Sequence, residues 1–233
     1  MLSVIIPTLN EARTLPVLIQ ALEREVGEAD EILVSDGGST DGTVELARAL
    51  GARLVGGSGP GARAARGRGA QLAAGVAVSR GDRLWFLHAD SVISSGSGRA
   101  LAAASAPWGC FATRIGTDDP RLRLCARWMT RRARLTGSCT GDMGMWMDRA
   151  VFSALGGFRP LPAFEDLDLS DRARARYAWE VLEPALTTSS RRWEAHGTSR
   201  TMARLLFFRA GYRLGIDPTR LAAAYTASNR NPE

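Results

Sequence analysis

Cysteine, histidine and long apolar stretches are all scarce in this sequence. Its 233 residues include three cysteines and two histidines. Three cysteines with neither a paired metal spacing nor a dense disulfide pattern predict free thiols in a reducing compartment. Nowhere do about 18 apolar residues follow one another, so no helix is expected to span a bilayer. The first apolar run, residues 1–7, is too short for the core of a signal peptide and predicts a buried strand instead.

Sequence signatures of nucleic-acid binding are also lacking. The net charge of +6 favours anionic partners, which include nucleic acid, lipid head groups and nucleotide phosphates. The sequence has no aromatic-rich strand pair, no paired Cys/His finger and no basic region followed by heptads. We therefore expect no nucleic-acid partner.

What the sequence does contain is an alternation of strand and helix patterns. Short apolar runs bounded by turn residues predict strands over 2–7, 31–35, 53–55 and 84–88, and apolar stripes between them predict helices. Asn10 is expected to be the N-cap of the first helix. The inward stripe of that helix is predicted to be Leu15, Leu18, Ile19, Leu22 and Val26. Such alternation predicts an α/β fold with a mainly parallel, doubly wound, Rossmann-like sheet flanked by helices.

Length and pattern predict a single domain over residues 1–233. With 45% hydrophobic residues, the chain can bury one substantial core. The alternation is regular over residues 1–107 and decays over 108–233. In that second part, a long helix is predicted near Pro120 to Thr136, followed by short mixed elements.

Three of the predicted strands end in polar residues, at the edge where open α/β sheets bind their ligands. The strand ends read Pro7-Thr8-Leu9-Asn10-Glu11, Ser35-Asp36-Gly37-Gly38-Ser39 and His88-Ala89-Asp90. Gly141-Asp142, Glu165-Asp166 and Arg191-Arg192-Trp193 follow further along the chain. In this order and spacing, these motifs resemble the family 2 glycosyltransferases of the GT-A fold, most of all their short, soluble bacterial members. The resemblance covers nearly the whole chain and implies a nucleotide-sugar-binding half over 1–107 and an acceptor-side, catalytic half over 108–233.

The resemblance implies that a nucleotide sugar binds at this edge, with a UDP-sugar favoured over a GDP-sugar. Asp36 stands where the family's acidic residue hydrogen-bonds the base, although an Asp-Gly pair is also typical of a plain turn. Arg192 would neutralise the leaving diphosphate, or would simply stack on Trp193. The expected nucleotide-sugar ligands are Pro7, Thr8, Asn10, Glu11, Asp36, Gly38, Ser39, Arg68, Asp90 and Arg192.

A divalent metal site is implied at His88-Ala89-Asp90, which occupies the place of the family's D-x-D motif with histidine as its first residue. Mg²⁺ or Mn²⁺ bridging the oxygens of a diphosphate needs a carboxylate at this strand end. Asp90 is the implied ligand, and a helix N-cap is its alternative role. His196 stands where the family often places another metal ligand, although a lone histidine is also commonly structural.

The run Glu165–Arg172 matches the family's E-D-x-x-L-x-x-R pattern. The match implies Asp166 as the base that takes a proton from a hydroxyl acceptor during inverting transfer, with Glu165 as a neighbouring acceptor contact or a structural residue. Acidic residues are also common in the first turn of a helix because they complement its dipole.

A basic stripe on the long helix is predicted from periodicity and not from the resemblance. Arg123, Arg127, Arg131 and Arg134 project within about 80 degrees of one another. One interpretation is a solvated face. The other is docking on anionic lipid head groups or on a lipid-phosphate acceptor. The location is expected to be cytoplasmic, at the inner face of the membrane if the stripe docks.

Two other classes of function compete with a glycosyltransferase. A sugar nucleotidyltransferase on a related fold usually has a G-x-G-T-R-type loop after its first strand, and a dehydrogenase needs G-x-G-x-x-G there. Pro7–Glu11 stands in that place. A non-catalytic, basic nucleotide- or membrane-binding protein would not need Asp90 together with Glu165 and Asp166. The sequence thus favours an inverting, metal-assisted glycosyltransferase that acts on an unidentified hydroxyl acceptor, with a lipid-linked acceptor as one option.

Overall fold

A seven-stranded sheet forms the centre of the structure, a computed structural model that describes residues 1–56 and 67–229, apart from the side chains of Arg192 and residues 225–229. The strands are β1 (Leu2–Thr8), β2 (Glu31–Asp36), β3 (Arg53–Val55), β4 (Arg83–Phe86), β5 (Trp108–Ile115), β6 (Trp146–Asp148) and β7 (Glu180–Thr188). Their order across the sheet is β3-β2-β1-β4-β6-β5-β7.

Most neighbouring strands run parallel, as the sequence predicts. β1 lies between β2 and β4 and is parallel to both, β2 is parallel to β3, and β5 is parallel to β7. The exception is β6, which is antiparallel to β4 and to β5. This three-residue strand was not predicted from the sequence, because a run so short carries no periodicity of its own.

Ten α-helices lie along the described part of the chain. They are α1 (Leu15–Leu22), α2 (Thr43–Ala49), α3 (Arg68–Val78), α4 (Ser97–Ala103), α5 (Pro120–Thr136), α6 (Arg149–Ala154), α7 (Glu165–Arg174), α8 (Arg191–His196), α9 (Thr198–Arg213) and α10 (Pro218–Asn229). Within the described residues, none of these helices is long and apolar enough to cross a membrane.

The hydrophobic core lies on both faces of the sheet. Along β1, Val4 and Ile6 pack on one face with the apolar side of α1, while Ile5 packs on the other face with α3. This alternation follows from the two-residue period of a strand. Covering both faces with helices is the arrangement that keeps parallel strands buried.

Local signals set the bounds of the long helix α5. Asp119 caps its start, because the carboxylate accepts a hydrogen bond from the backbone N–H of Arg121 at 2.9 Å. Gly137, with φ of +66°, stops the helix in the left-handed conformation that favours glycine. The predicted helix is confirmed. So are the free thiols, since all three cysteines are unpaired.

Candidate active site

The carboxyl ends of β1, β2 and β4 meet at one edge of the sheet. Thr8 and Asp36, the last residues of β1 and β2, face each other in the parallel register. The hydroxyl of Thr8 donates to Asp36 Oδ1 at 3.0 Å. Because β4 flanks β1 on its other side, His88 to Asp90 emerge next to this pair. The three polar strand ends are therefore neighbours.

Asp36 organises the turn that follows β2. Its Oδ2 accepts hydrogen bonds from the backbone N–H groups of Gly38 and Ser39, both at 2.8 Å, and its Oδ1 accepts from the Ser39 hydroxyl. The side chain is buried. Gly38 adopts φ of +101°, a conformation that glycine takes without strain. The carboxylate thus fixes the turn from within, and its predicted contact with a nucleotide base stays a prediction.

Asn10 is not a helix cap, so that expectation is wrong. Helix α1 begins at Leu15, after Thr14, and Val26 lies beyond its last residue. Asn10 instead adopts φ of +57° and joins two loops. Its N–H donates to Ser39 Oγ at 2.8 Å, and its side-chain oxygen accepts from the N–H of Thr40 at 2.9 Å. The loops after β1 and β2 are therefore held together, and this tertiary use of the side chain outweighs its local preference for capping.

Gln71 on α3 was missed as a residue that supports the site. Its amide nitrogen donates to the carbonyl oxygens of Thr8 at 2.7 Å and of Ser35 at 2.8 Å. The amide is buried and satisfies the ends of both strands. A single glutamine in an alanine-rich helix was the only signal for it, and nothing in the pattern says what such a residue would contact.

Asp90 and Glu11 converge on one cationic atom. Nη2 of Arg191 lies 3.1 Å from Asp90 Oδ2 and 3.3 Å from Glu11 Oε2. The hydrogen bond to Asp90, supported by Glu11, raises the pKa of Arg191. The resemblance points to Arg192, whose side chain lies outside the described residues. Sequence reasoning therefore missed Arg191, although the doubled arginine was a signal for it.

The carboxylates of Asp90 and Glu11 are also the groups that fit a divalent cation. Both are hard oxygen donors of the kind that Mg²⁺ and Mn²⁺ prefer, and they already face a shared positive charge. No described contact joins His196 to Asp90, and the described residues include no group of three or more His, Cys, Asp or Glu side chains that could hold a metal ion. In the described residues, the cation that joins Asp90 and Glu11 is the guanidinium of Arg191.

Asp166 lies in the first turn of α7, with its carboxylate fixed by two backbone groups. Its Oδ2 accepts from the N–H of Gly141 at 2.6 Å, and its Oδ1 accepts from the N–H of Leu167 at 2.7 Å. The side chain is half-buried. Each oxygen keeps a further lone pair, so the carboxylate can still accept a proton from a bound alcohol.

Glu165 is buried and pairs with another predicted residue, Arg68. Nη1 of Arg68 lies 3.8 Å from Glu165 Oε1, across the contact between α3 and α7. Within the described residues, that oxygen has no hydrogen-bond partner. Burial, together with the nearby charge of Asp166, raises the pKa of Glu165. These contacts favour the structural alternative for Glu165 over a direct contact with acceptor.

Asp168 and Arg172, also within the matched pattern, orient α7. The guanidinium of Arg172 pairs with the buried carboxylate of Asp168 and donates to the carbonyl oxygens of Leu155 at 2.6 Å and Gly157 at 2.8 Å. Arg159 adds an ion pair to Asp168 at 3.1 Å. The arginine that ends the pattern is therefore a structural anchor, and it fixes the direction in which Asp166 projects.

Gly141 joins the strand edge to the carboxylates of α7. A Cβ atom at this position would lie 2.6 Å from His88 Nε2 and 3.5 Å from Asp166 Oδ2. The imidazole that precedes Asp90 and the carboxylate of Asp166 therefore approach the same point. Asn10 and Ser39 in turn link the Asp36 turn to the loop that carries Glu11. Contacts therefore connect the Asp36 turn, the strand end that carries His88 and the first turn of α7.

Comparisons with known proteins bear on the family and the fold of this chain. Residues 3–105 match the model of the family described as glycosyl transferase family 2. A "PGL/p-HBAD biosynthesis glycosyltransferase" of Mycobacterium bovis is 36% identical over 110 residues, which are 45% of this chain and 41% of the relative. The chain thus spans less than half of the curated relative that it matches.

Solved structures share the fold. TarS 1–349 of S. aureus superimposes with a TM-score of 0.64 at 17% identity, over 81% of this chain and 60% of that one. The mannosyltransferase PcManGT from Pyrobaculum calidifontis, solved with GDP-Man and Mn²⁺, gives a TM-score of 0.62 at 18% identity, over 100% of this chain and 65% of that one. Residues 3–105 are thus similar to glycosyl transferase family 2, and the chain has the GT-A fold.

Proposed function

We propose that this protein transfers a sugar, with inversion, from a nucleotide diphosphate donor to a hydroxyl acceptor. The observation that carries the proposal is the meeting of His88, on the Asp90 strand end, with Asp166 at Gly141. A donor bound at the strand edge would there face a carboxylate suited to activate an alcohol. Solved relatives are described in complex with UDP-GlcNAc and with GDP-Man. We favour a UDP-sugar as the donor of this chain.

The donor is assigned to the edge formed by the ends of β1, β2 and β4. The turn from Asp36 to Ser39 includes Gly38, which is exposed and lacks a side chain that would shield it from a ligand. Thr8 and Asn10 border the same turn through their contacts with Asp36 and Ser39. Pro7 precedes Thr8 in β1. Arg68, at the start of α3, supplies a half-exposed cation on the side of Glu165.

The diphosphate is assigned to the region of Asp90, Glu11 and Arg191. When bound, Mg²⁺ or Mn²⁺ would neutralise the charge that develops on the leaving diphosphate. Asp90 and Glu11 would hold the cation, and His196 remains a proposed ligand without a described contact to them. Arg191, whose Nη2 bridges both carboxylates, supplies a guanidinium that suits phosphate oxygens.

In the proposed transfer, Asp166 accepts the proton of the acceptor hydroxyl. A lone pair of the deprotonated acceptor oxygen forms a bond to the anomeric carbon. The bond from that carbon to the diphosphate oxygen breaks, and its electron pair leaves with the nucleotide diphosphate. The attack from the face opposite the leaving group inverts the anomeric centre. The N–H groups of Gly141 and Leu167 keep the carboxylate oriented during this step.

Nucleotide release separates this proposal from its alternatives. The purified protein is incubated with a UDP-sugar, Mn²⁺ and a panel of hydroxyl acceptors, and free UDP and the anomeric configuration of the product are measured. Release of UDP with an inverted product supports the transferase. A sugar nucleotidyltransferase would instead form pyrophosphate from a nucleoside triphosphate and a sugar phosphate. A non-catalytic protein would bind UDP in calorimetry and turn nothing over.

Peripheral membrane contact through α5 is part of the proposal for a cytoplasmic protein with a lipid-linked acceptor. The predicted basic stripe is exposed. Next to it, Leu124, Trp128 and Leu135 expose 67%, 51% and 69% of their surface. Their spacing places these three residues on one side of the helix. Apolar side chains beside a basic stripe are the pattern of a helix that lies on an anionic membrane surface.

A further inference from the structure

Three arginines from two helices converge on Ser138, in the loop after α5. The guanidinium groups of Arg209 and Arg213, one turn apart on α9, both donate to Ser138 Oγ. Nε of Arg132, on α5, donates to the backbone oxygen of the same serine at 3.3 Å. Ser138 is buried. We call these three residues the arginine cluster.

The charges of the arginine cluster are incompletely matched by the protein. Arg213 pairs with Asp171 at 2.9 Å. Arg209 makes no ion pair in the described ranges, and Nη2 of Arg132 is buried without a hydrogen-bond partner there. Burial, and then the charges of Arg132 and Arg213, lower the pKa of Arg209 to about 10. Partly burying three cations side by side costs free energy, and a bound anion would offset that cost.

The arginine cluster adjoins the catalytic carboxylate. The loop that begins at Ser138 reaches Gly141, whose N–H binds Asp166 at 2.6 Å. The charge of Asp166 also acts on Arg209, where it opposes the fall in pKa. On the other side of the chain, Ser170 of α7 donates to the carbonyl oxygen of Cys139 at 3.4 Å. An anion held by the cluster would therefore lie beside an alcohol positioned on Asp166.

We propose that the arginine cluster binds a phosphate group of the acceptor, so that the sugar is transferred to a hydroxyl on a phosphate ester. The assignment of this phosphate to the sugar acceptor rests on the proposed function, whereas the phosphate-binding site itself does not. Guanidinium groups suit phosphate because their planar forks donate two parallel hydrogen bonds to its oxygens. The chain contains no lysine, so arginine supplies all such contacts. The cluster is separate from the pair of carboxylates on Arg191, where the donor diphosphate is assigned.

Thermal unfolding and calorimetry with inorganic phosphate test the site without any sugar transfer. The wild type should bind phosphate and unfold at a higher temperature in its presence, because a ligand that binds only the folded state stabilises it. Arg209→Gln should weaken binding by about tenfold or more, the loss expected for one charge-assisted contact. Arg200→Gln, at an exposed position of the same helix, is the matched control and should bind as the wild type does.

Further variants distinguish the arginine cluster from the donor side and from a purely structural set of contacts. Arg191→Gln should retain phosphate binding, because Arg191 belongs to the donor side; loss in this variant and not in Arg209→Gln would overturn the proposal. Without phosphate, Arg209→Gln should unfold no more easily than the wild type, since it removes an unpaired cation. If Arg209→Gln does not fold, Arg209→Lys carries the test, with weaker binding expected because the fork is lost. Phosphate binding without sugar transfer would refute the proposed function alone.

The source of the phosphate is resolved by two probes. Monoethyl phosphate in solution represents a soluble ester, and vesicles containing phosphatidic acid represent a lipid head group. Binding of either probe that depends on Arg209 supports the proposal and identifies the source. Binding of neither, or equal binding by the wild type and Arg209→Gln, overturns it.

Discussion

Nη2 of Arg191 lies between two carboxylates, 3.1 Å from Asp90 Oδ2 and 3.3 Å from Glu11 Oε2. A guanidinium in this position competes with any other cation for the same oxygens. Arg191→Gln should therefore raise the affinity for Mn²⁺ in the absence of nucleotide, by roughly two- to fivefold for a partly exposed pair. Binding is measured by the electron paramagnetic resonance of free Mn²⁺. Arg48→Gln, at an exposed position on α2, is the control.

Loss of Mn²⁺ affinity in Arg191→Gln would contradict this view of the site. Asp90→Ala removes one of the two carboxylates proposed to hold the cation, and it should abolish the metal dependence of UDP binding. Asp82→Asn is its matched control, because Asp82 precedes the same strand at the opposite edge of the sheet and is almost fully exposed.

Asp166→Asn should lower turnover by about a hundredfold or more, the scale of general-base loss, while UDP binding is retained. The asparagine keeps the shape of the side chain and can still accept the N–H of Gly141 or of Leu167, but it takes no proton. Turnover is followed by UDP release, and binding by calorimetry. Unchanged turnover would remove Asp166 from the proposed role. Asp168→Asn is expected to act differently, by lowering stability, because Asp168 is held by Arg172 and Arg159.

The sequence predicted those elements whose signals are local. Helix α5 begins after the capping Asp119 and ends before Gly137, and both ends are encoded by the residues at them. The strands β1 to β4 follow from short apolar runs between turn residues. Asp36 and Asp90 each follow a predicted strand. Because the carboxyl ends of parallel strands lie at one edge of a sheet, the sequence predicted that both residues lie at that edge.

What the sequence could not supply are contacts between distant segments. Arg191 and Glu11 are separated by 180 positions and meet only in the fold. Gln71 likewise binds strand ends that precede it by many residues. Asn10 has a strong local preference for capping, and a tertiary contact with Thr40 took precedence. Periodicity and propensity describe neighbours along the chain, so they carry no information about such partners.

Glu165 should make stability depend on pH. Burial raises its pKa in the folded state, so the folded protein holds this proton more tightly than the unfolded chain does. The stabilisation is fully present below the unfolded pKa, about 4.3, and is lost as the pH rises through the raised folded pKa. Relative to the wild type, Glu165→Gln should gain stability at pH 7 and not at pH 4. Urea unfolding at both pH values measures this, with the exposed Glu45→Gln as the control.

Gly141→Ala tests the close approach of His88 and Asp166. The added methyl group would lie 2.6 Å from His88 Nε2, so the imidazole or the loop must move. We expect a loss of about 1–3 kcal/mol in stability, as in other overpacked sites, and a fall in turnover. Gly116→Ala, where the new atom finds ordinary contacts from 3.4 Å outward, should change neither. Combining Gly141→Ala with His88→Ala should restore stability, and no restoration would argue against the clash.

If α5 docks on a membrane, the binding of the protein to lipid vesicles should depend on the charge of the lipid. Arg127 and Arg131 are exposed beside Trp128 and Leu135, so the surface offers cations and apolar groups together. In flotation assays, the protein should bind vesicles with anionic lipid and leave neutral vesicles unbound. Reversing two charges, Arg127→Glu with Arg131→Glu, should weaken binding by at least about tenfold, since each basic residue near the surface contributes about 1 kcal/mol.

The control for this double variant reverses two exposed arginines on other helices or their flanks, Arg24→Glu with Arg48→Glu. Both double variants have the same net charge, so a general electrostatic effect would weaken binding equally in the two. A loss confined to the α5 variant locates the contact on that helix, where Arg127 and Arg131 adjoin the exposed side chains of Trp128 and Leu135. Equal binding to neutral and anionic vesicles, or none to either, would leave the basic stripe as a solvated face.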